Sequence, residues 1–404
     1  MRNILALLTI IFITCCKPDI QKKLQTGTWR AILEVQDNNE LPFIFEVESE
    51  GHLKIYNAEE VIAVDDIQYR NDSVYIQMPV FPTYIAAKFV NKETLKGSFF
   101  DNERNREVPF SATYGIAKRF DTSKSALANI TGNWQTVFSP GIQEDKYIAK
   151  GIFNQDGNNV TGTFRTTTGD YRYLEGAIDG NEFKLSTFDG SHAFLFIGTT
   201  TDNTLKGMFY SGSHFKEPFA AKRNETYELP HADSLTVLNE GYGRFEFSFP
   251  DSEGDLVSLD DERFKNKVVL VQIMGSWCPN CLDESKFYSH HYNANKDKDF
   301  EIVALAVEHA RTETQAFKNI KRLQDKIGIE YPILLAQTGT SSKTETQKKL
   351  PMLNHVLSYP TTIYVDKKGE VRKIHTGFNG PATGEKYIAF KTEFESFVSK
   401  LLSE

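Results

Sequence analysis

Cys278-Pro279-Asn280-Cys281, preceded by Trp277, is the part of the chain whose residue types and spacing could do chemistry. Two thiols three residues apart can close and reopen a disulfide by exchange with another disulfide. Too few residues lie between them to staple a large loop, so a structural cross-link is not the reading favoured. A structural zinc needs four ligands, and the nine histidines show no spacing that would complete a set with two cysteines, so no metal is expected. The remaining cysteines, Cys15 and Cys16, lie in an N-terminal export segment. Reversible redox chemistry is the reading left.

The neighbouring segments have to present this pair. Val268 to Met274 is a nearly continuous apolar run, as in a central strand covered on both faces. A helix is predicted from Pro279 to about His291, because proline suits a first helical position, where its missing N–H costs nothing. Cys278 then sits where the strand ends and the helix begins. Unpaired N–H groups and the helix dipole there favour a thiolate, lowering its pKa below the usual value of about 8.5. Cys281, one turn on, can resolve a mixed disulfide, and Trp277 flanks the sulfur. On this reading Cys278 is the attacking thiol at an exposed helix entry, and Cys281 is covered by the fold. His290 and His291 read as a solvated helix end. Downstream, a strand is predicted over 302–307, a helix over 312–327, a hairpin from Pro360-Val365 to Val371-His375, and an amphipathic helix over 385–402.

Strand, Trp-Cys-x-x-Cys and helix in this order resemble the TlpA-like branch of the thioredoxin superfamily, whose members are exported and often membrane-tethered disulfide reductases. The resemblance covers residues 245–404, about 40% of the chain. It implies an α/β thioredoxin fold, with catalytic roles for Cys278 and Cys281 and no cofactor. It also implies a cis-proline at Pro360 that sets the Tyr359 backbone beside Cys278, where an extended substrate can pair. Glu284, three residues beyond the second cysteine, corresponds to the family's acidic residue, a covered carboxylate that aids proton transfer. Two positions depart from the family pattern: Asn280 stands where proline usually precedes the second cysteine, and Lys286 where a helix-kinking proline is common.

The first half of the chain reads as all-β, with aromatic and β-branched runs bounded by Gly, Asn and Asp turns. It contains a repeat. Thr26-Gly27-Thr28-Trp29 returns as Thr131-Gly132-Asn133-Trp134, Thr94-Leu95-Lys96-Gly97 as Thr204-Leu205-Lys206-Gly207, and Pro109-Phe110 as Pro218-Phe219, at offsets of 105, 110 and 109. Residues 27–130 and 131–225 are therefore two copies, forming two barrels or sandwiches or the halves of one larger barrel. Trp29 and Trp134 are read as core, Lys96 and Lys206 as solvent-facing. Residues 226–244 form a linker to the C-terminal domain. The β copies carry no catalytic constellation, and their expected role is spacing, partner docking or substrate recruitment.

Arg2 and the apolar run Ile4 to Ile13 have the form of a signal segment, too short to span a bilayer. The run ends at Cys15-Cys16 before polar residues, which resembles a lipobox with Cys16, or alternatively Cys15, as the lipidated residue; residues 1–16 are assigned to it. A net charge of −8 without a basic block argues against a nucleic-acid partner. The expected protein is a lipid-anchored enzyme of the cell envelope, facing the periplasm. It would reduce or exchange disulfides of exported proteins and be recharged by a membrane thiol reductant. The competing reading is a binding lipoprotein whose thioredoxin-like part is a docking accessory.

Overall fold

The computed structural model describes residues 22–404, so the lipidation expectation at Cys15 and Cys16 lies outside the described residues. The all-β half forms two nine-stranded antiparallel, barrel-like sheets, not one larger barrel. In the first, the opening strand Gly27–Glu34 pairs with both its successor Glu40–Ser49 and the last strand Arg106–Tyr114. The ladder stops between Glu60–Val64 and Asp66–Arg70, which are joined by Asp65. In the second, Gly132–Phe138 pairs with Tyr147–Asp156 and Phe215–Arg223, and a further pairing of Tyr147–Asp156 with Asn159–Thr166 closes the ring.

The repeat is visible atom by atom. Trp29 and Trp134 are fully buried, and each indole N–H donates to the carbonyl four residues earlier, Gln25 at 3.0 Å and Ile130 at 2.8 Å. Burial thus leaves neither polar handle unpaired. The repeated Lys-Gly has a steric cause: a side chain at Gly97 would overlap the Ala86 carbonyl across the strand pair, and one at Gly207 the Ile197 carbonyl. Lys96 and Lys206 beside them face solvent, as expected.

The C-terminal part is an α/β thioredoxin fold. Its sheet has the order Ile333–Gln337, Phe300–Val307, Val268–Met274, Thr361–Val365, Val371–Thr376, with the first two pairings parallel and the last two antiparallel. Val268–Met274 and Phe300–Val307 are buried throughout, which is why they read as almost wholly apolar, broken only by Gln272 and Glu301. Helices Pro279–Asn295, Glu313–Ile327 and Glu385–Ser403 cover the sheet, and a short helix, Lys343–Lys349, lies in the polar stretch before Pro360. Thr312 caps the second of these through the Gln315 N–H, and Gly328 ends it in the left-handed region. The last helix buries Phe390, Phe394, Val398 and Leu401 at spacings of three and four.

His291 corrects one expectation. Its ring packs edge-on against Phe394 at 4.8 Å and against Phe300 at 5.3 Å, so only His290 of the pair is solvated. The connector after the second barrel follows the thioredoxin fold: Leu238 bridges to Leu353, Thr236 Oγ1 meets Thr376 Oγ1 at 2.8 Å, and Asp233 meets His375 at 2.6 Å.

Candidate active site

The central strand ends at Met274, and four residues, Gly275-Ser276-Trp277-Cys278, turn the chain into the helix that starts at Pro279. Cys278 is the N-cap of that helix, in extended conformation, and its Sγ accepts the Cys281 N–H at 3.2 Å. The helix end therefore spends one of its free donors on this sulfur. Cys278 and Cys281 are joined as a disulfide, with Cα atoms 5.2 Å apart. The Tyr359–Pro360 bond is cis, as expected, and Tyr359 O lies 3.5 Å from Cys278 Sγ. Trp277 donates its indole N–H to Val307 O at 2.8 Å and sets its ring against His309 and the edge of Tyr359. Burial pushes His309 down to about 4, so this ring is neutral.

Two carboxyls lie beneath the loop and helix. Glu284 is fully buried and accepts from Gln272 Nε2 (2.8 Å), Thr362 Oγ1 (3.1 Å) and Tyr288 OH (3.2 Å). Burial pushes its carboxyl up to about 7, against the opposing effect of those donors. Glu308 was not picked out from sequence. It too is fully buried, and Ser276 donates to it twice, from its N–H at 2.8 Å and its hydroxyl at 2.6 Å. Burial pushes Glu308 up to about 8. The available signal was an acidic residue directly after the apolar run Ile302 to Val307, at the strand end where the loop must be held.

The expectation of an exposed Cys278 is wrong. Cys278 is 6% exposed and Cys281 not at all. The second barrel borders the disulfide through a hairpin turning at Thr167-Thr168, which bonds residues on both sides of it. Ser358 Oγ donates to Thr168 O at 2.7 Å, and Asn280 Nδ2 to Asp170 O at 3.2 Å. Arg172 Nη1 donates to Pro279 O at 3.1 Å, and Ser191 Oγ to Trp277 O at 3.1 Å. Helix-end geometry was legible locally, whereas burial was decided by a domain more than a hundred residues away.

Comparison with known proteins adds the family. The redoxin family profile matches residues 244–388, which include both cysteines, both buried carboxyls and Pro360. The thiol-disulfide oxidoreductase ResA of Bacillus thuringiensis subsp. konkukian is 30% identical over 142 residues, covering 35% of this chain and 72% of that protein. The chain belongs to the redoxin family. The thioredoxin-like protein YneN of Bacillus subtilis is 28% identical over 140 residues, covering 35% of this chain and 73% of that protein. A solved thiol-disulfide oxidoreductase from Bacteroides fragilis aligns with 37% of this chain and 99% of its own, at 24% identity and a TM-score of 0.27. This redoxin is therefore a thiol–disulfide oxidoreductase, and its substrates carry disulfides. Among the described residues no cluster of His, Cys, Asp and Glu could hold a metal ion, and no helix is long and apolar enough to cross a membrane.

Proposed function

We propose that this redoxin reduces or exchanges disulfides of exported proteins through Cys278 and Cys281. The observation that carries the reading is the position of Cys278 Sγ at the helix N-cap, accepting the Cys281 N–H and lying beside the Tyr359 carbonyl before Pro360. In the reduced enzyme the Cys278 thiolate attacks one sulfur of the substrate disulfide. A Cys278–substrate disulfide forms and the other substrate sulfur leaves as a thiolate, which takes up a proton. Cys281, deprotonated in turn, attacks Cys278 Sγ. The mixed disulfide breaks, the Cys278–Cys281 disulfide closes, and the substrate leaves with both sulfurs reduced. An external dithiol, held at the membrane, then returns two electrons to the pair.

Glu284, one helical turn beyond Cys281 and held near neutrality by burial, is suited to take the Cys281 proton in the second step. Tyr359 and Pro360 provide the edge along which an extended substrate lies, with Trp277 at its side. Lipid on Cys16, or on Cys15, would hold the enzyme at the cell envelope beside its electron donor. Support comes from the apolar segment that ends at these cysteines before polar residues.

The test is capture. A Cys281→Ser variant should accumulate mixed disulfides through Cys278, identifiable by mass spectrometry, whereas Cys278→Ser should accumulate almost none. Mixed disulfides found chiefly on Cys281 in the Cys278→Ser variant would reverse the assignment.

A further inference from the structure

The hairpin beside the disulfide does more than border it. Its polypeptide is extended on both sides of Thr167-Thr168, with Arg165 paired to Asp170 and Thr166 to Gly169. Each surface that frames Cys278 bonds to it. On the cis-proline side the Ser358 hydroxyl reaches Thr168 O, one residue from the Tyr359 carbonyl beside the sulfur. From the helix the Asn280 amide reaches Asp170 O. From the loop after the last strand, the Gly380 N–H donates to Asp170 Oδ2 at 2.6 Å, and Asn379 Oδ1 accepts from Arg165 Nε at 3.3 Å. Gly377 packs so closely on the Thr168 backbone that no side chain fits there.

Two of these bonds use main-chain carbonyls of the hairpin, the groups that an extended substrate segment would also offer. Asn280 supplies one of the donors, at the position where the TlpA-like pattern has a proline and hence no amide. These contacts of the hairpin are hydrogen bonds, and polar contacts of this kind are common between domains that move relative to one another.

We infer that the hairpin Thr166–Arg172 is a built-in occupant of the substrate face and determines which disulfides are reduced, a protein disulfide reaching Cys278 only by displacing it. This rests on Cys278 being the attacking thiol. The partner that fits is an extended segment flanking a disulfide, able to replace the hairpin's carbonyls against Ser358 and Asn280. While the hairpin stays down, a folded protein meets a Cys278 residue that is only 6% exposed.

The experiment measures access to Cys278 in the reduced full chain, using iodoacetamide as the small reagent and a polyethylene-glycol maleimide as the bulky one. The ratio of bulky to small labelling rates is compared with that of the same chain unfolded in urea, with labelled peptides mapped to Cys278. Gly169→Leu is chosen to loosen the hairpin, since Gly169 has φ +144° and a side chain there would displace the Asn280 amide and crowd the Phe378 carbonyl; Asp170→Ala removes the acceptor for Gly380. The native wild-type ratio should be at least about tenfold below the unfolded one, and each variant should recover most of that difference. Reduction of a protein disulfide, insulin, should rise with it, while reduction of a small aromatic disulfide changes less than about twofold. A native wild-type ratio equal to the unfolded one overturns the inference even if neither variant folds. So does a folded variant that leaves the ratio unchanged. Labelling that follows the variants while no disulfide of either size is turned over would leave the hairpin's role standing and count against the redox reading.

Discussion

Arg172, in the second barrel, donates to the carbonyl of Pro279, the residue directly after the first cysteine, across 107 positions of sequence. Its guanidinium also bonds Asp283 of the same helix and Glu60 of the first barrel, and lies 3.3 Å from Asp189. Arg172 is almost fully buried, as is Asp189. Removing the cation leaves buried carboxylates facing one another, and breaking such clusters typically costs about 3–5 kcal/mol. Arg172→Ala should therefore lower the unfolding free energy of the second barrel by an amount of that order, read as a lower urea midpoint. A midpoint within experimental scatter of the wild type would show that the carboxylates shed their charge or their burial without cost.

Glu284 makes stability depend on pH in an unusual direction. Its folded value of about 7 lies above the ordinary 4.5, so the native chain binds this proton more tightly than the unfolded chain. The contribution is complete below about pH 4.5 and is lost as pH rises towards and through 7. Glu284→Gln lacks this titration. The stability of the wild type relative to the variant should fall with rising pH between about pH 5 and about pH 8, with a slope approaching about 1.4 kcal/mol per unit at its steepest. Urea titrations across that range measure it, and a flat difference would place the carboxyl at its ordinary value.

At Glu308 the same burial gives a different expectation. A carboxyl held near 8 carries its proton at neutral pH, and glutamine has the same shape, its amide oxygen able to accept the Ser276 N–H and its NH2 to donate to the Ser276 hydroxyl oxygen. Glu308→Gln should keep both contacts to Ser276 and fold almost as stably as the wild type at about pH 6. Glu308→Ala strands a buried N–H and a hydroxyl and should lose about 1–3 kcal/mol, which thermal unfolding at one pH can rank. Equal losses for the two variants would mean that the carboxyl is charged there.

The lipid anchor is checked at the N-terminus. Mature protein should sediment with membranes, and its first peptide should carry diacylglycerol on Cys16. A Cys16→Ala variant that is still processed and stays bound would move the site to Cys15; soluble wild-type protein would dispose of the anchor.

What the sequence disclosed follows the range of the interactions. The pair at Cys278 and Cys281, the strand before it and the helix after it are set by neighbours a few residues apart. The cis peptide at Pro360 and the burial of Glu284 came through family resemblance. Trp29 and Trp134 were legible as core because the repeat placed a large aromatic at equivalent positions. Glu308 escaped because its partner Ser276 is 32 positions away and a glutamate after a strand usually meets water. Cys278 was misjudged for the same reason on a larger scale: Thr166–Arg172 reads as an ordinary polar hairpin end, and only docking of the barrels turns it inward. His291 was misplaced because the rings that enclose it come from Phe300 and Phe394.

The ion cluster around Arg172 draws its members from three separately organised parts of the chain: Glu60 from the first barrel, Arg172 and Asp189 from the second, and Asp283 from the thioredoxin fold. Its completion therefore reports that all three have matured. A molecule whose first barrel is damaged or unfinished lacks Glu60 at this junction, and Arg172 loses a counterion just where it holds the second barrel to the cysteine helix. The link between the second barrel and the cysteine helix thus has its full complement of counterions only in a molecule whose three parts are all folded.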